Sequence, residues 1–410
     1  MNATTALHAI NAERLHGLLT SLARFGALPG GGMDRQALSE EDFQARAWLL
    51  EQAQALGCEL YTDACANLFI RRPGREALAP VMTGSHIDTQ PSGGTLDGCY
   101  GVMAGLECLH ALNEAGIETR RPIELVVWTN EEGSRFSPGA MGSSAYVQPE
   151  RLATYREHLD RSGISVGQAL DAHAARFAAL AQRAAIPAHA FVELHIEQGP
   201  VLEQAGVPLG VVSGIQGVRW YQLTCHGAAA HAGTTPMPMR RDAMRLAMAS
   251  AQRIEALAEG LAGAELRLTF GRWNVHPNAI NTIAGQVSFS VDFRHADPAV
   301  LAAFDAQLPA CLADNVSLEP LFSHAPTAFA PALLEVLEQA CQATGLAHLP
   351  LRSGAFHDAM YLAGHCPTAM LFVPSRGGIS HNPAEFTEPA HLEAGARALA
   401  YALVALADQP

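Results

Sequence analysis

The residues able to do chemistry in this sequence fall in a few short polar strings. His86-Ile87-Asp88 follows the apolar Val81-Met82, and Asp97 closes a glycine-rich loop, Gly93-Gly94-Thr95-Leu96-Asp97-Gly98, just ahead of a helical pattern. A histidine with a carboxylate two residues on suits a metal ligand whose ring the second group, here Asp88, orients. A polar turn accounts for the same residues equally well. Glu131 and Glu132 stand side by side after another apolar run. Adjacent carboxylates repel unless a cation or a proton separates their roles. One can then ligate a metal while the other takes the proton of an attacking water and delivers it to the leaving nitrogen; most Glu-Glu pairs are simply solvated. His195, within Glu193-Leu194-His195-Ile196-Glu197-Gln198-Gly199, and His381, within Ser380-His381-Asn382-Pro383, complete the set. Each histidine alone reads more simply as a hydrogen-bonded side chain.

The elements that must position these strings alternate. Ser39-Glu40-Glu41-Asp42 has the form of a helix N-cap with an acidic first turn, and Phe43, Ala47 and Leu50 continue the pattern towards a stop at Gly57. Ile123-Glu124-Leu125-Val126-Val127-Trp128 predicts a strand and Gly101 to Leu112 a helix, the rhythm of an α/β sheet. In such sheets ligands gather beyond the carboxyl ends of the strands, where the polar strings fall. Asp171 to Ala185 is Ala-rich and predicts a packing helix without chemistry.

From Gly214 to about Thr327 the texture changes. Val287, Phe289, Val291 and Phe293 alternate with Ser288, Ser290, Asp292 and Arg294, as in a sheet with one buried face. Arg240 to Leu257 predicts one helix, and Asp297-Pro298 the start of another. A β-α-β-β-α-β insert follows from this order. Leu371-Phe372-Val373 and a final helix from about Pro389 to Leu406 then return to the first sheet.

With 410 residues, two domains are the natural expectation. A formal charge of -14 without a long basic run argues against nucleic acid or an anionic membrane and for a small-molecule partner. Eight cysteines without a C-x-x-C pair fit free thiols in a reducing compartment. Leu7, Ile10, Leu15, Leu18 and Leu22 form an amphipathic pattern unlike a signal peptide, so a cytoplasmic protein is expected.

In the order His, Asp, Glu-Glu, His, His, the strings together resemble the M20 metallopeptidase-like amidases, in particular the hydantoinase/carbamoylase branch. The matching strings are Gly84-Ser85-His86-Ile87-Asp88-Thr89, Asp97-Gly98, Asn130-Glu131-Glu132-Gly133, Glu193 to Gly199, His231-Ala232-Gly233-Thr234-Thr235-Pro236-Met237 and Ile379-Ser380-His381-Asn382. The resemblance covers nearly the whole chain. It implies a zinc-peptidase-like α/β catalytic domain, residues 1–212 and 328–410, interrupted at 213–327 by an α+β, ferredoxin-like lid that also dimerises, the partner's lid completing the site. It further implies two divalent metal ions per subunit, zinc or else manganese, cobalt or nickel. His86, Glu132, His195 and His381 would be terminal ligands, Asp97 the bridge and Glu131 the general base. In related peptidases the ligand at the place of His195 is commonly a carboxylate, whereas the carbamoylase-like branch has His.

For the substrate the resemblance points to Gln198, His231, Asn281 and Arg294. Their chemistry is apt: Arg offers a bidentate fork for a carboxylate, Asn and Gln match the edges of a ureido group, and His231 can hold an oxyanion. Two positions depart from the family's pattern. Phe356, in Ser353-Gly354-Ala355-Phe356-His357-Asp358, stands where a small residue is usual, and Trp220 where allantoate-cleaving relatives tend to have Arg. An indole there favours an apolar substituent, or is ordinary strand packing. The expected reaction is hydrolysis of an N-carbamoyl-L-amino acid, with N-carbamoyl-β-alanine and allantoate as alternatives. A non-catalytic binding protein on this fold is the different-class alternative; it predicts loss of Glu131 or of a ligand, and none is missing.

Overall fold

Four strands, Val81–His86 (β1), Ile123–Trp128 (β2), Ala190–Ile196 (β3) and Thr368–Val373 (β4), are buried at every position. Continuous burial is what parallel strands covered on both faces require, and it explains why their sequences are apolar runs without alternation. In the computed structural model, which describes residues 2–410, they lie in the order β4, β3, β1, β2, each pair parallel. Leu68–Arg72 extends the sheet antiparallel beyond β2, and Leu209–Ile215 does so beyond β4. These strands belong to one compact unit, Met1–Gly214 with Ala328–Pro410; Ile215–Thr327 forms a second.

The helix Cys99–Glu114 packs on β1 and is buried along most of its length, starting two residues after Asp97. Pro389–Ala407 also packs on the sheet. Ser39 caps Glu40–Ala55 by accepting the N–H of Asp42. At the N-terminus Leu7, Ile10, Leu15, Leu18 and Leu22 are all buried on or beside two short helices, Asn2–Ala9 and Ala12–Leu22. Among the described residues no helix is long and apolar enough to cross a membrane.

The Ala-rich stretch differs from its expectation. The helix is Val166–Arg176, started by a capping box between Ser165 and Gln168, and Ala181–Gln182 is an edge strand parallel to Tyr61–Thr62. Phe177 packs edge-on to Phe43 where the helix stops, so tertiary contacts override the alanine propensity beyond it.

In the unit Ile215–Thr327 the central strand Gln286–His295 pairs with Gly217–His226 on one side and with Arg267–Thr269 and Trp273–His276 on the other. Val316–His324 flanks Gly217–His226, and all pairs are antiparallel. With helices Ala243–Ala262 and Pro298–Gln307 this is the order β-α-β-β-α-β. Val287, Phe289, Val291 and Phe293 are fully buried against those helices, and Phe293 stacks on Phe304 at 4.0 Å. Each such side chain contributes about 1.5–3 kcal/mol by leaving water, which fixes the register of the alternation. The first helix starts at Ala243 rather than Arg240, because Asp242 caps it through the N–H groups of Met244 and Arg245.

Candidate metal centre

The polar strings converge at the carboxyl ends of β1 to β4. His86 is the last residue of β1, Glu131 and Glu132 follow β2, His195 lies at the end of β3, and His381 follows β4. Asp97 sits at their centre. Its Oδ1 is 3.2 Å from His195 Nε2 and 3.8 Å from His86 Nε2; its Oδ2 is 3.1 Å from His381 Nε2. Glu132 Oε2 is 3.5 Å from the same nitrogen of His381. Two trios thus share one carboxylate: His86, Asp97 and His195, and Asp97, Glu132 and His381, with the ligand atoms of each trio within 4.8 Å of one another.

Backbone carbonyls hold the two buried rings. His86 Nδ1 meets the Asp88 carbonyl at 2.9 Å and His195 Nδ1 that of Ile196 at 2.8 Å. A neutral ring that donates from Nδ1 presents the Nε2 lone pair, as His86 does towards Asp97; His195 Nε2 lies 3.1 Å from the Gly98 nitrogen and 3.2 Å from Asp97 Oδ1. Burial pushes His86 down to about 4, against the pull of Asp97, so this ring is neutral. Burial would lower His195 also, but its hydrogen bond to Asp97 and the charge of that carboxylate raise it to about 9. His381, half exposed, is likewise raised to about 9, first by Asp97. The field that makes these nitrogens basic towards a proton makes them good donors to a cation. Oxygen and imidazole donors without thiolate fit two divalent cations of the zinc, manganese, cobalt or nickel kind.

The Asp88 carboxylate does a different job from the one expected. Its Oδ1 is 3.8 Å from His86 Nδ1, whereas its oxygens accept the N–H groups of Glu131 at 3.3 Å and Glu132 at 3.2 Å. The backbone carbonyl orients the histidine, and the side chain holds the glutamate turn. That turn needs the left-handed φ of 55° at Asn130, whose amide donates to the Phe136 carbonyl at 2.7 Å. Glu131 is buried, and burial together with Asp358, Glu132, Asp97 and Asp88 pushes its carboxyl well above the usual range. Glu132 is pushed up to about 8, by burial and then by Asp97.

Several supporting residues carry no sequence signal of their own. Glu385 accepts the N–H groups of Leu96 and Asp97 at 2.9 and 3.1 Å and fixes the loop that presents Asp97. Gln90 binds Glu132 through both its backbone and its side chain. Arg35, buried, donates to the carbonyls of Ile87, Leu22 and Phe25 and to Cys99 Sγ, so one guanidinium ties the His86 loop to the Asp97 loop. Behind His195, Glu193 accepts Ser85 Oγ and the Ala359 N–H, and the His357 ring meets that of His195 edge-on at 4.6 Å. Phe356 packs on the glutamate loop: a Cβ at Gly139 would come within 3.1 Å of its ring and 2.3 Å of the Glu131 carbonyl oxygen.

Gln198 rests on Asp97, its amide donating to Oδ2 at 2.8 Å. The other expected substrate residues lie in the unit Ile215–Thr327. His231 and Asn281 are neighbours on a two-stranded ribbon, joined by the Ala232 N–H to the Asn281 carbonyl. His231 Nδ1 accepts the N–H groups of Gly233 and Thr234 at 3.1 and 3.2 Å, so the neutral ring carries its proton on Nε2. Arg294 is gripped by Asp292, with Nε at 3.0 Å and Nη2 at 2.8 Å from its oxygens. Trp220 packs against Phe322 at 5.2 Å across the strands, and its Nε1 is buried without a hydrogen-bond partner among the described residues.

This strand-end arrangement, two trios of imidazole and carboxylate sharing an aspartate, goes with the family shown by comparison. Residues 82–405 match the model of peptidase family M20/M25/M40, and the chain belongs to that family. It is 37% identical to an N-carbamoyl-L-amino-acid amidohydrolase of Rhizobium meliloti, over 97% of this chain and 97% of that protein. It is also 37% identical to the allantoate amidohydrolase of Escherichia coli (strain K12), over 95% of this chain and 96% of the other. Among solved structures it is similar to a hydantoinase/carbamoylase family amidase from Burkholderia multivorans, with a TM-score of 0.87, 42% identity, and coverage of 98% of this chain and 99% of the other.

Proposed function

We propose that the protein is a binuclear metal amidohydrolase that cleaves the ureido C–N bond of an N-carbamoyl-L-amino acid, releasing ammonia, carbon dioxide and the amino acid. The observation that carries this is one buried carboxylate, Asp97, shared by two trios beside a glutamate, Glu131, whose pKa is raised. Two divalent cations held by His86, Asp97, Glu132, His195 and His381 would supply Lewis acidity and lower the pKa of a water.

The chain's own residues do the rest. Glu131 takes the proton of the attacking water and passes it to the leaving nitrogen; a carboxyl with a raised pKa suits both halves of that transfer. His231 donates its Nε2–H to the oxyanion of the tetrahedral intermediate. Arg294 binds the substrate carboxylate, and Asn281 the ureido edge. Gln198 first of all steadies Asp97, on which its amide lies. The apolar pairing of Trp220 with Phe322 supports an amino acid with an apolar side chain over allantoate, whose second ureido arm calls for a polar partner. We read the inserted unit as a lid that also joins two copies, the partner's lid completing each site. We read the compartment as cytoplasmic from the eight unpaired cysteines.

The test is ammonia release from a panel of N-carbamoyl-L-amino acids, N-carbamoyl-β-alanine and allantoate, with and without added Mn²⁺ or Zn²⁺. Metal-dependent turnover, highest on carbamoyl amino acids with apolar side chains, is expected. Silence across the panel in the presence of metal would overturn the reading.

A further inference from the structure

Glu131 and Glu132 are the same residue type, adjacent in sequence and held by the same Asp88, yet the structure treats them differently. Gln90 donates its backbone N–H to Glu132 Oε1 at 3.0 Å and its side-chain amide to Oε2 at 2.8 Å. The same amide lies 3.3 Å from the Glu132 carbonyl oxygen. One residue therefore pins both oxygens of one glutamate. No hydrogen bond reaches the Glu131 carboxylate among the described residues; its nearest basic neighbour is His86 Nε2 at 3.5 Å. Asp88 cannot make the difference, because it accepts the backbone N–H of both glutamates at nearly equal distances.

We propose that Gln90 is the residue that assigns the two glutamates their separate work: it fixes Glu132 as a ligand of the Asp97, Glu132 and His381 trio and leaves Glu131 free to turn between water and leaving group. This rests on the two-metal reading above. The oxygen that Gln90 grips from its side chain, Oε2, is the one 3.5 Å from His381 Nε2, so the clamp acts on the ligating atom itself. The residue type matters as much as the reach. An amide offers donors without a charge, so it holds Glu132 without competing with a cation; Lys or Arg would neutralise the carboxylate and compete with the ion. The side-chain hydrogen bonds of Gln90 go to Glu132, a member of one trio alone. It is a positioning residue.

The experiment is equilibrium dialysis of the full chain against graded Mn²⁺, with bound metal per chain measured by elemental analysis. Wild type, Gln90→Ala, Gln90→Met and, as the reference lacking the second trio's histidine, His381→Ala are compared. Gln90→Met keeps side-chain volume and the backbone donor, and serves should the alanine variant fold poorly. Wild type should bind two ions. Both Gln90 variants should bind the first ion as wild type does and the second about 10–100-fold more weakly, the usual effect of removing a partner that orients a ligand. Excess Mn²⁺ should then restore turnover to the Gln90 variants. Fewer than two ions in wild type would overturn the two-metal reading itself. Two ions in wild type with an unchanged second affinity in the Gln90 variants, or with both affinities falling equally, would overturn the role of Gln90 and leave that reading standing.

Discussion

Gly98→Ala tests the geometry of the His86 trio at its tightest point. Gly98 has φ 64° and ψ -47°, outside the basins of L-residues. Holding an alanine there costs about 1–3 kcal/mol. The steric problem is larger. A Cβ at this position would lie 2.3 Å from His86 Nε2 and 2.4 Å from both ring carbons beside it. Ordinary contact begins near ~3.5 Å, so the ring must retreat by roughly 1 Å. The methyl would also stand in front of the lone pair that faces Asp97. A metal–nitrogen bond of about 2.0–2.1 Å does not survive a displacement of that size, and a misplacement of about 1 Å is worth on the order of 100-fold in rate. The folded variant should therefore lose the first ion in dialysis and at least about 100-fold in kcat/KM. Denaturation in metal-free buffer should show at least the backbone cost of roughly 1–3 kcal/mol, with the displacement of the buried ring added to it. A folded Gly98→Ala with wild-type metal affinity and turnover would refute the placement of the His86 ligand edge.

Glu131→Gln should leave two ions bound per chain while lowering kcat by about 10²–10⁴-fold; wild-type turnover would remove Glu131 from the role of base. His173 gives a pH prediction away from the metals. It packs between Phe43 and Phe177, its Nε2 is buried without a hydrogen-bond partner among the described residues, and burial followed by Arg46 pushes its pKa down to about 3. The native ring stays neutral while the unfolded ring takes a proton below about pH 6.5, so stability falls as pH drops from there towards about 3, by up to about 1.4 kcal/mol per unit. His173→Phe should shrink the stability difference between about pH 7.5 and about pH 5.5 by roughly 1 kcal/mol in denaturant unfolding curves. An unchanged difference would show that the native ring is not held neutral.

The strands beneath the site were legible because burial on both faces demands unbroken apolar runs, and β2 and β4 are such runs. The inserted sheet was legible for the opposite reason, since one buried face imposes the alternation of Val287 to Phe293. Caps were legible where Ser39 and Asp297 meet their own helix, but the Ser165–Gln168 box was passed over in favour of the alanines after it. The ligand strings could be read only in combination, each histidine being ordinary alone. Non-local partners left no trace. Nothing about Glu385 announces that it serves the loop before Asp97, and Gln90 is one more polar residue after His86-Ile87-Asp88-Thr89. Asp88 was visible as a carboxylate in the right place, but the choice between its side chain and its carbonyl as the orienting group depends on a turn that spacing does not specify.

β4 lies between β3 and Leu209–Ile215, although the whole inserted unit separates it from them in the chain. On a ribosome, which makes the chain from its N-terminus at about 5–20 residues per second, the sheet has a gap beside β3 until residues 368–373 emerge, and His381 comes later still. A nascent chain can carry His86, Asp97, Glu132 and His195 for tens of seconds without the means to complete the second trio. Truncated products that stop before β4 should expose the edges of β3 and Leu209–Ile215 together, a template for strand pairing between chains and a signal by which quality control can tell them from the complete enzyme.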